Sequence, residues 1–366
     1  MATLAATGTS FAQATISGNL GLSWQQNPTI KSDGSHIQGL SMNDGEIYVT
    51  ATEDLGGGMS ATARGGWVMR GRGTAITARD GTVTLKGAFG AVTAGSLRSC
   101  GTLVTAQSGV VTGTVYSANE SVDQVPLDKC SIVDTVAYSV PVGPVLVTAS
   151  YGEFAKGESY SSDSTKNWLD SKGNVNGITF FDLDGTYNDG PLMLRMNVTS
   201  FSAITNVSTG TTALVPADGV LRTRLVGTYD IGVAKFGLGY QNKTGGSADQ
   251  YVASIAVPMG NAVFGLDYSA RAAQGVYDKG QAGAVAAYAL GSARDGDKAS
   301  SAVGLGVTYN FSKTTSLNAS YITYNDAGAN SKYGTPTAAT YAGITPAGTT
   351  AALLDTEYRI RLLKSF

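Results

Sequence analysis

The sequence has little of what most enzymes and helical membrane proteins require. Among 366 residues there is a single histidine, His36, and only 14% of the residues are charged. No apolar run reaches the roughly 20 residues that a membrane-spanning helix needs, which excludes a helical membrane protein. The formal net charge of -2 lacks the basic excess expected of a nucleic-acid-binding protein. We therefore expect no nucleic-acid partner.

The scarcity of histidine also argues against catalysis and metal binding. General-base catalysis usually depends on a histidine beside a nucleophile or an activated water. His36 lies far from both cysteines, and the chain contains no CxxC motif. We expect a protein that is not an enzyme and that has no cofactor and no metal site.

The first residues, MATLAATGTSFAQATIS, are small, weakly apolar and uncharged. Within them, Ala12-Gln13-Ala14 has the small-x-small pattern of a signal-peptide cleavage site. The interpretation is that residues 1–14 are the remainder of a secretory signal peptide and that 15–366 form the mature domain, with its first strand near Thr15. The alternative is an N-terminal arm without regular structure.

Only two cysteines occur, Cys100 and Cys130, and both fall in the same irregular stretch. In an exported protein, an even count favours one disulfide. Closing a loop of about 30 residues would contribute roughly 3–4 kcal/mol. The alternative is two unpaired thiols.

The rest of the chain repeats one pattern, in which two alternating strands flank a very short turn and a long polar stretch follows. The short turns carry Gly, Pro, Asn or Asp and lie at 54–58, 89–91, 141–144, 188–191, 230–232, 258–261 and 310–313. The long stretches lie at about 25–43, 72–79, 99–132, 154–177, 201–220, 243–249, 271–302 and 325–353. Seven turns and eight long loops predict about 16 strands, with both chain ends on the short-turn side.

Alternation is typical of both soluble sandwiches and membrane barrels, so other features must discriminate between them. Tyrosines stand at the ends of apolar faces, as at Tyr229, Tyr240 and Tyr309, which suits the aromatic girdles of a membrane barrel. Short turns at one end and long loops at the other match periplasmic turns and extracellular loops. We predict an all-β membrane protein, a closed antiparallel transmembrane β-barrel.

The chain ends TEYRIRLLKSF, a strand whose apolar face continues to the last residue. Tyr358, Ile360, Leu362 and Phe366 share this face, interrupted only by Lys364. Chain ends usually fray into solvent, so a terminal aromatic residue suggests an apolar cover. We expect these residues to close the last strand against the first and to serve assembly in the membrane, with Phe366 at the inner interface.

Several segments, in order along the chain, resemble the general porins of Gram-negative bacteria, particularly the betaproteobacterial type. They are TEDLGGGMSA, LKGAFGAVTAGS, DTVAYSVP, YDIGVAKFGLGYQ and VGLGVTYNFSKTTSLNASY, together with the terminal Phe366. The resemblance implies an outer-membrane homotrimer in contact with lipid and lipopolysaccharide. It also implies a third loop, about 99–133, that folds inward to narrow the pore. The small residues of strand three, including Ala61, Ala63 and Gly65, agree with a subunit contact; the alternative is a thin lipid-facing strand.

The resemblance also places the constriction residues, and here the sequence departs from the family. The arginines that the family tends to carry on strands two and five align with Glu46 and Ser96. The remaining candidate pore residues are Arg64, Arg70, Arg72, Arg98, Glu120, Asp123 and Asp128. We therefore expect weak cation preference or near-neutrality. The alternative is that Arg64, Arg70 and Arg98 restore a basic ladder one strand away.

The function expected from these observations is passive diffusion of small hydrophilic solutes and ions through a water-filled barrel, because about 16 strands enclose a lumen. A substrate-specific outer-membrane channel or an adhesin on the same barrel is the alternative. The long loops are rich in Ser, Thr, Gly and Ala, as freely varying surface loops also are.

Overall fold

A computed structural model describes residues 13–30, 35–69, 76–99, 102–112, 131–153, 179–201, 220–243, 249–272, 300–326 and 356–366. These ranges contain sixteen strands, each paired antiparallel with its neighbours in sequence. The first strand also pairs with the last, so the sheet closes on itself. The prediction of a closed antiparallel barrel of about 16 strands is confirmed.

The strands are β1 (Gln13–Ile30), β2 (His36–Gly56), β3 (Met59–Val68), β4 (Thr77–Gly87), β5 (Gly90–Ser99), β6 (Ser131–Val142), β7 (Val145–Glu153), β8 (Thr179–Asp189), β9 (Leu192–Phe201), β10 (Val220–Asp230), β11 (Lys235–Lys243), β12 (Gln250–Met259), β13 (Ala262–Arg271), β14 (Ser300–Ser312), β15 (Thr315–Asp326) and β16 (Thr356–Ser365). A short 3₁₀ helix, Thr102–Ala106, lies between β5 and β6. In the described ranges, no helix is long and apolar enough to cross a membrane.

All seven predicted short turns connect neighbouring strands at the same end of the barrel. Positive backbone angles explain some of the turn glycines: φ is 59° at Gly143 and 55° at Gly190, where a residue with a Cβ would be strained. The start of β1 and the end of β16 lie at this end too, as predicted.

The first long loop is shorter than expected. Residues 25–43 were predicted as a loop, yet β1 continues to Ile30 and β2 begins at His36, with Trp24 paired to Leu40 and Gln26 to Gln38. The pairing needs only backbone groups, so polar side chains do not end it. A register shift between Gln26 and Ile30 accommodates the irregularity around Pro28.

The two faces of the sheet differ sharply in chemistry. Large apolar side chains are exposed on the outer face of almost every strand, including Leu183, Met196, Leu225, Leu238, Leu266, Leu305 and Ile360. Polar and charged side chains dominate the other face, where many are buried, including Asn197, Arg224, Gln241, Asp267, Asn318 and Arg361. An apolar exterior around a polar interior is the arrangement of a barrel in lipid.

Closure of the barrel depends on the last residue. The backbone of Phe366 both donates to and accepts from Gly18, at 3.0 Å in each direction. Its ring packs over Gly18, where an added Cβ would lie 2.8 Å from the ring carbon Cζ. Tyr358, eight residues earlier along the same seam, packs its ring against Trp24 at 5.1 Å between centroids. Ile360 and Leu362 are exposed on the same outer face.

Candidate pore lining

The connection between β5 and β6 contributes residues 102–112 to the interior of the structure. This 102–112 segment contacts β10, β11 and β12 through its 3₁₀ helix. Its later residues contact β13, β14 and β15. Its partners belong to the polar face, on strands that lie across the barrel from β5 and β6.

Hydrogen bonds attach the first half of the segment to this wall. The Ser254 hydroxyl donates to the Ala106 carbonyl at 2.5 Å. The Ser108 backbone N–H donates to the Asp267 carboxylate at 2.8 Å. Asp267 is fully buried, so the wall supplies a charged acceptor that the segment covers.

The second half is attached through β15. The Asn318 side-chain amide donates to the Val110 carbonyl at 2.8 Å, while its oxygen accepts from the Thr112 hydroxyl at 2.8 Å. The Ser320 hydroxyl donates to the Thr112 carbonyl at 2.7 Å. Asn318 and Thr112 are both buried, so water competes little for these hydrogen bonds.

Apolar contacts accompany these hydrogen bonds. Leu103 and Ala106 form one buried cluster with Val226 and Val252 of the wall. Val111 forms a second with Ala302, Ile322 and Tyr324. Burial of a leucine or valine side chain contributes on the order of 1.5–3 kcal/mol, so Leu103 and Val111 attach the segment firmly.

Three wall glycines allow the close approach. A Cβ on Gly237 would lie 2.0 Å from the Ala106 carbonyl oxygen, and one on Gly306 would lie 2.8 Å from that of Val110. A Cβ on Gly265 would lie 2.6 Å from the Val110 Cβ. These positions hold glycine because the segment occupies the space that a side chain would need, with its backbone at Gly237 and Gly306 and with the side chains of Ser108 and Val110 at Gly265.

Some charges of the inner face pair with one another, and others contact neutral polar groups. Arg195 contacts Asp184 at 2.6 Å. Asp44 contacts both Arg359 and Arg361 at 3.1 Å. Arg224 donates to the Gln241 side-chain oxygen at 2.6 Å.

Glu46 and Arg64, two of the predicted pore residues, lie on this face around one tyrosine. The Tyr48 hydroxyl donates to the Glu46 carboxylate at 3.1 Å, and the Arg64 guanidinium lies 3.9 Å from the Tyr48 ring centroid. Arg64 also contacts Asp80 at 3.5 Å, and 42% of its side chain is exposed. The positive charge at Arg64 therefore has an acidic partner beside it.

Ser96 was expected to line the pore, and the structure places it on the other face. It pairs with Gly81 and Asp134, and its hydroxyl donates to the Asp134 carboxylate. It shares its side of β5 with Val92 and Ala94, while Thr93 faces inward. Alternation along β5 predicts the same result: Ser96 lies three residues from Thr93, and side chains an odd number of residues apart lie on opposite faces of a strand.

The other predicted site residues lie outside the described residues. They are Arg70, Arg72, Glu120, Asp123 and Asp128, together with the cysteines Cys100 and Cys130; for Arg98, only the backbone is described. Their roles and the disulfide stay predictions. Sequence reasoning missed Asp44, Asp184 and Arg195, although alternation along β2, β8 and β9 marks all three as inward-facing.

A closed sixteen-strand antiparallel barrel, apolar outside and polar inside, defines a transmembrane β-barrel protein of the bacterial outer membrane. The chain belongs to the Gram-negative porins, whose family model matches residues 1–329. It is located in the outer membrane. The betaproteobacterial subtype stays a prediction.

Solved structures show the same fold at low identity. OmpT, an outer membrane protein of Vibrio cholerae, is 15% identical over 97% of this chain and 98% of that chain, with a TM-score of 0.57. Its trimer form has 14% identity over 97% and 99%, with a TM-score of 0.53. A mutant of the Rh. blastica porin has 11% identity over 97% and 100%, with a TM-score of 0.54. The search of curated proteins gave no match.

Proposed function

We propose that the protein is a water-filled channel for passive diffusion of small hydrophilic solutes and ions, and not an enzyme. The observation that carries this proposal is the attachment of the 102–112 segment to β10–β15. It occupies one wall, with Met193 of β9 at the edge of its contacts, and no other described segment between strands lies over the polar faces of β2–β8. In this proposal the segment supplies the constriction expected of the inward loop at about 99–133.

The pore is expected to be weakly cation-selective or nearly neutral. A one-signed ring of charge selects counter-ions, but here four inner-face arginines contact carboxylates: Arg64 contacts Asp80, Arg195 contacts Asp184, and Arg359 and Arg361 contact Asp44. The carboxylate of Glu46 stands where the family carries an arginine. The pairing of Arg64 with Asp80 weakens the alternative of a restored basic ladder.

Reversal potential in a potassium chloride gradient across a planar bilayer tests the proposal. We expect a reversal potential near zero or of the cation-selective sign, and a shift toward chloride in Glu46→Gln. A clear chloride preference that is unchanged in Glu46→Gln contradicts the selectivity. No current from correctly folded protein contradicts the channel itself.

The proposed assembly is a homotrimer that contacts neighbouring copies through the outer face of β3. Ala61, Ala63 and Gly65 are small where lipid-facing strands carry Leu, Met or Phe. Small residues allow close approach between barrels. Current steps grouped in threes would support the trimer, whereas solitary unit steps would contradict it.

A further inference from the structure

Three pairs of hydroxyl side chains lie on the inner face of β2–β7, the part of the barrel wall opposite the 102–112 segment. Thr52 lies 3.1 Å from Thr62, Thr84 lies 2.9 Å from Thr93, and Ser139 lies 2.8 Å from Thr148, each measured between hydroxyl oxygens. We call these six residues the hydroxyl wall. All six are partly or fully exposed.

The first two pairs form a continuous row. Thr62 and Thr84 are direct neighbours in the register of β3 and β4, so hydroxyls follow one another across β2, β3, β4 and β5. Adjacent strands are about 4.8 Å apart, so a solute several ångströms long touches two or three of these hydroxyls together.

The hydroxyl wall faces the constriction. β4 and β12 are separated by eight strands in a closed barrel of sixteen and therefore lie opposite each other. Thr62, Thr84 and Thr93 lie close to the short-turn ends of their strands, as does Gly237 beneath the 102–112 segment. A solute that passes the segment passes the hydroxyl wall on its other side.

The wall retains capacity for further hydrogen bonds. Each hydroxyl has one donor and two acceptor sites, and a hydroxyl pair uses one donor and one acceptor. Every pair thus keeps one O–H and several lone pairs for a passing solute. Charged residues of both signs flank the row on the same face: Asp54 and Lys86 lie two positions from Thr52 and Thr84, and Arg64, two positions from Thr62, contacts Asp80. With both signs present, no one-signed ring of charge holds ions against the row.

We infer that the hydroxyl wall makes the pore favour small neutral polyhydroxylated solutes, such as polyols and sugars, over neutral solutes of equal size without hydroxyl groups. The inference rests on the proposed diffusion function and names its substrate class. A polyol exchanges its bonds to water for bonds of both kinds, donating and accepting, along the row. A solute without O–H or N–H groups cannot donate to the wall.

Osmotic swelling of vesicles containing the reconstituted full chain tests the inference. The probes are erythritol and glycine betaine, which have similar mass and no net charge, and only erythritol carries hydroxyls. The variant is Thr62→Val/Thr84→Val, because valine keeps the shape and strand preference of threonine. The control is Thr223→Val on β10, which removes a hydroxyl from the outer face beside Leu221 and Leu225.

In the double variant, we expect the erythritol rate to fall about threefold, the effect of a lost hydrogen bond of moderate strength, while betaine rate and ion conductance stay unchanged. The control should match the original protein with both probes. An equal change for both probes, or no change, overturns the inference and leaves the diffusion function standing. Vesicles of the original protein that pass neither probe nor ions overturn the proposed function and the inference with it.

Discussion

Gly237 lies in close contact with the 102–112 segment, which we propose as the constriction of the pore. In Gly237→Ala, the new Cβ would lie 2.0 Å from the Ala106 carbonyl oxygen, whereas real Cβ atoms essentially never come within 3.0 Å of a neighbour. The atom in the way is backbone, so rotation of a side chain cannot relieve the clash. The 102–112 segment must therefore retreat by at least 1.0 Å at this point.

When the segment moves away from Gly237, it loses a hydrogen bond and apolar packing. The Ser254–Ala106 hydrogen bond, now 2.5 Å, becomes too long to count, a loss of roughly 0.5–1.5 kcal/mol. The packing of Leu103 and Ala106 on Val226 and Val252 loosens, for roughly 1–2 kcal/mol more. A total of about 2–3 kcal/mol raises the population of detached segment by roughly thirtyfold or more.

Single-channel recording in a planar bilayer measures the result. We expect higher conductance and greater open-channel noise in Gly237→Ala, because a detached segment narrows the pore less and moves more. Gly185→Ala is the matched control, since its Cβ meets Val145 at an ordinary 3.7 Å, and its conductance should not change. A folded Gly237→Ala protein with the original conductance and noise would refute the reasoning.

Two further predictions concern the seam where the barrel closes. Deleting Phe366 removes two backbone hydrogen bonds to Gly18, so assembled protein in the outer membrane should fall severalfold while the conductance of surviving pores stays the same; unchanged levels in membrane fractions would contradict this. Asp44→Asn removes the carboxylate that both Arg359 and Arg361 contact, and we expect a loss of about 3 kcal/mol in stability, seen as barrel unfolding at lower temperature in detergent. Asp134→Asn on the outer face serves as its control, and equal melting of the two variants would count against the prediction.

Local chemistry determined much of this fold. Alternation along each strand separates the two faces, and Gly, Pro, Asn and Asp mark the seven turns, so strand number and closure followed from short stretches of sequence. The outward position of Ser96 was also within reach, because it lies three residues from Thr93. Aligning it with the family instead of counting the alternation led to the wrong face.

Which residues face inward could therefore be predicted, since the period of a strand is a local property. Which inward residues meet depends instead on how the strands are arranged around the barrel. Asp44 contacts Arg359 because closure of the barrel brings β1 and β2 beside β16. Gly237 contacts Ala106 because the connection after β5 crosses to the opposite wall. Such contacts join residues more than a hundred positions apart, and no short-range pattern encodes the geometry that brings them together.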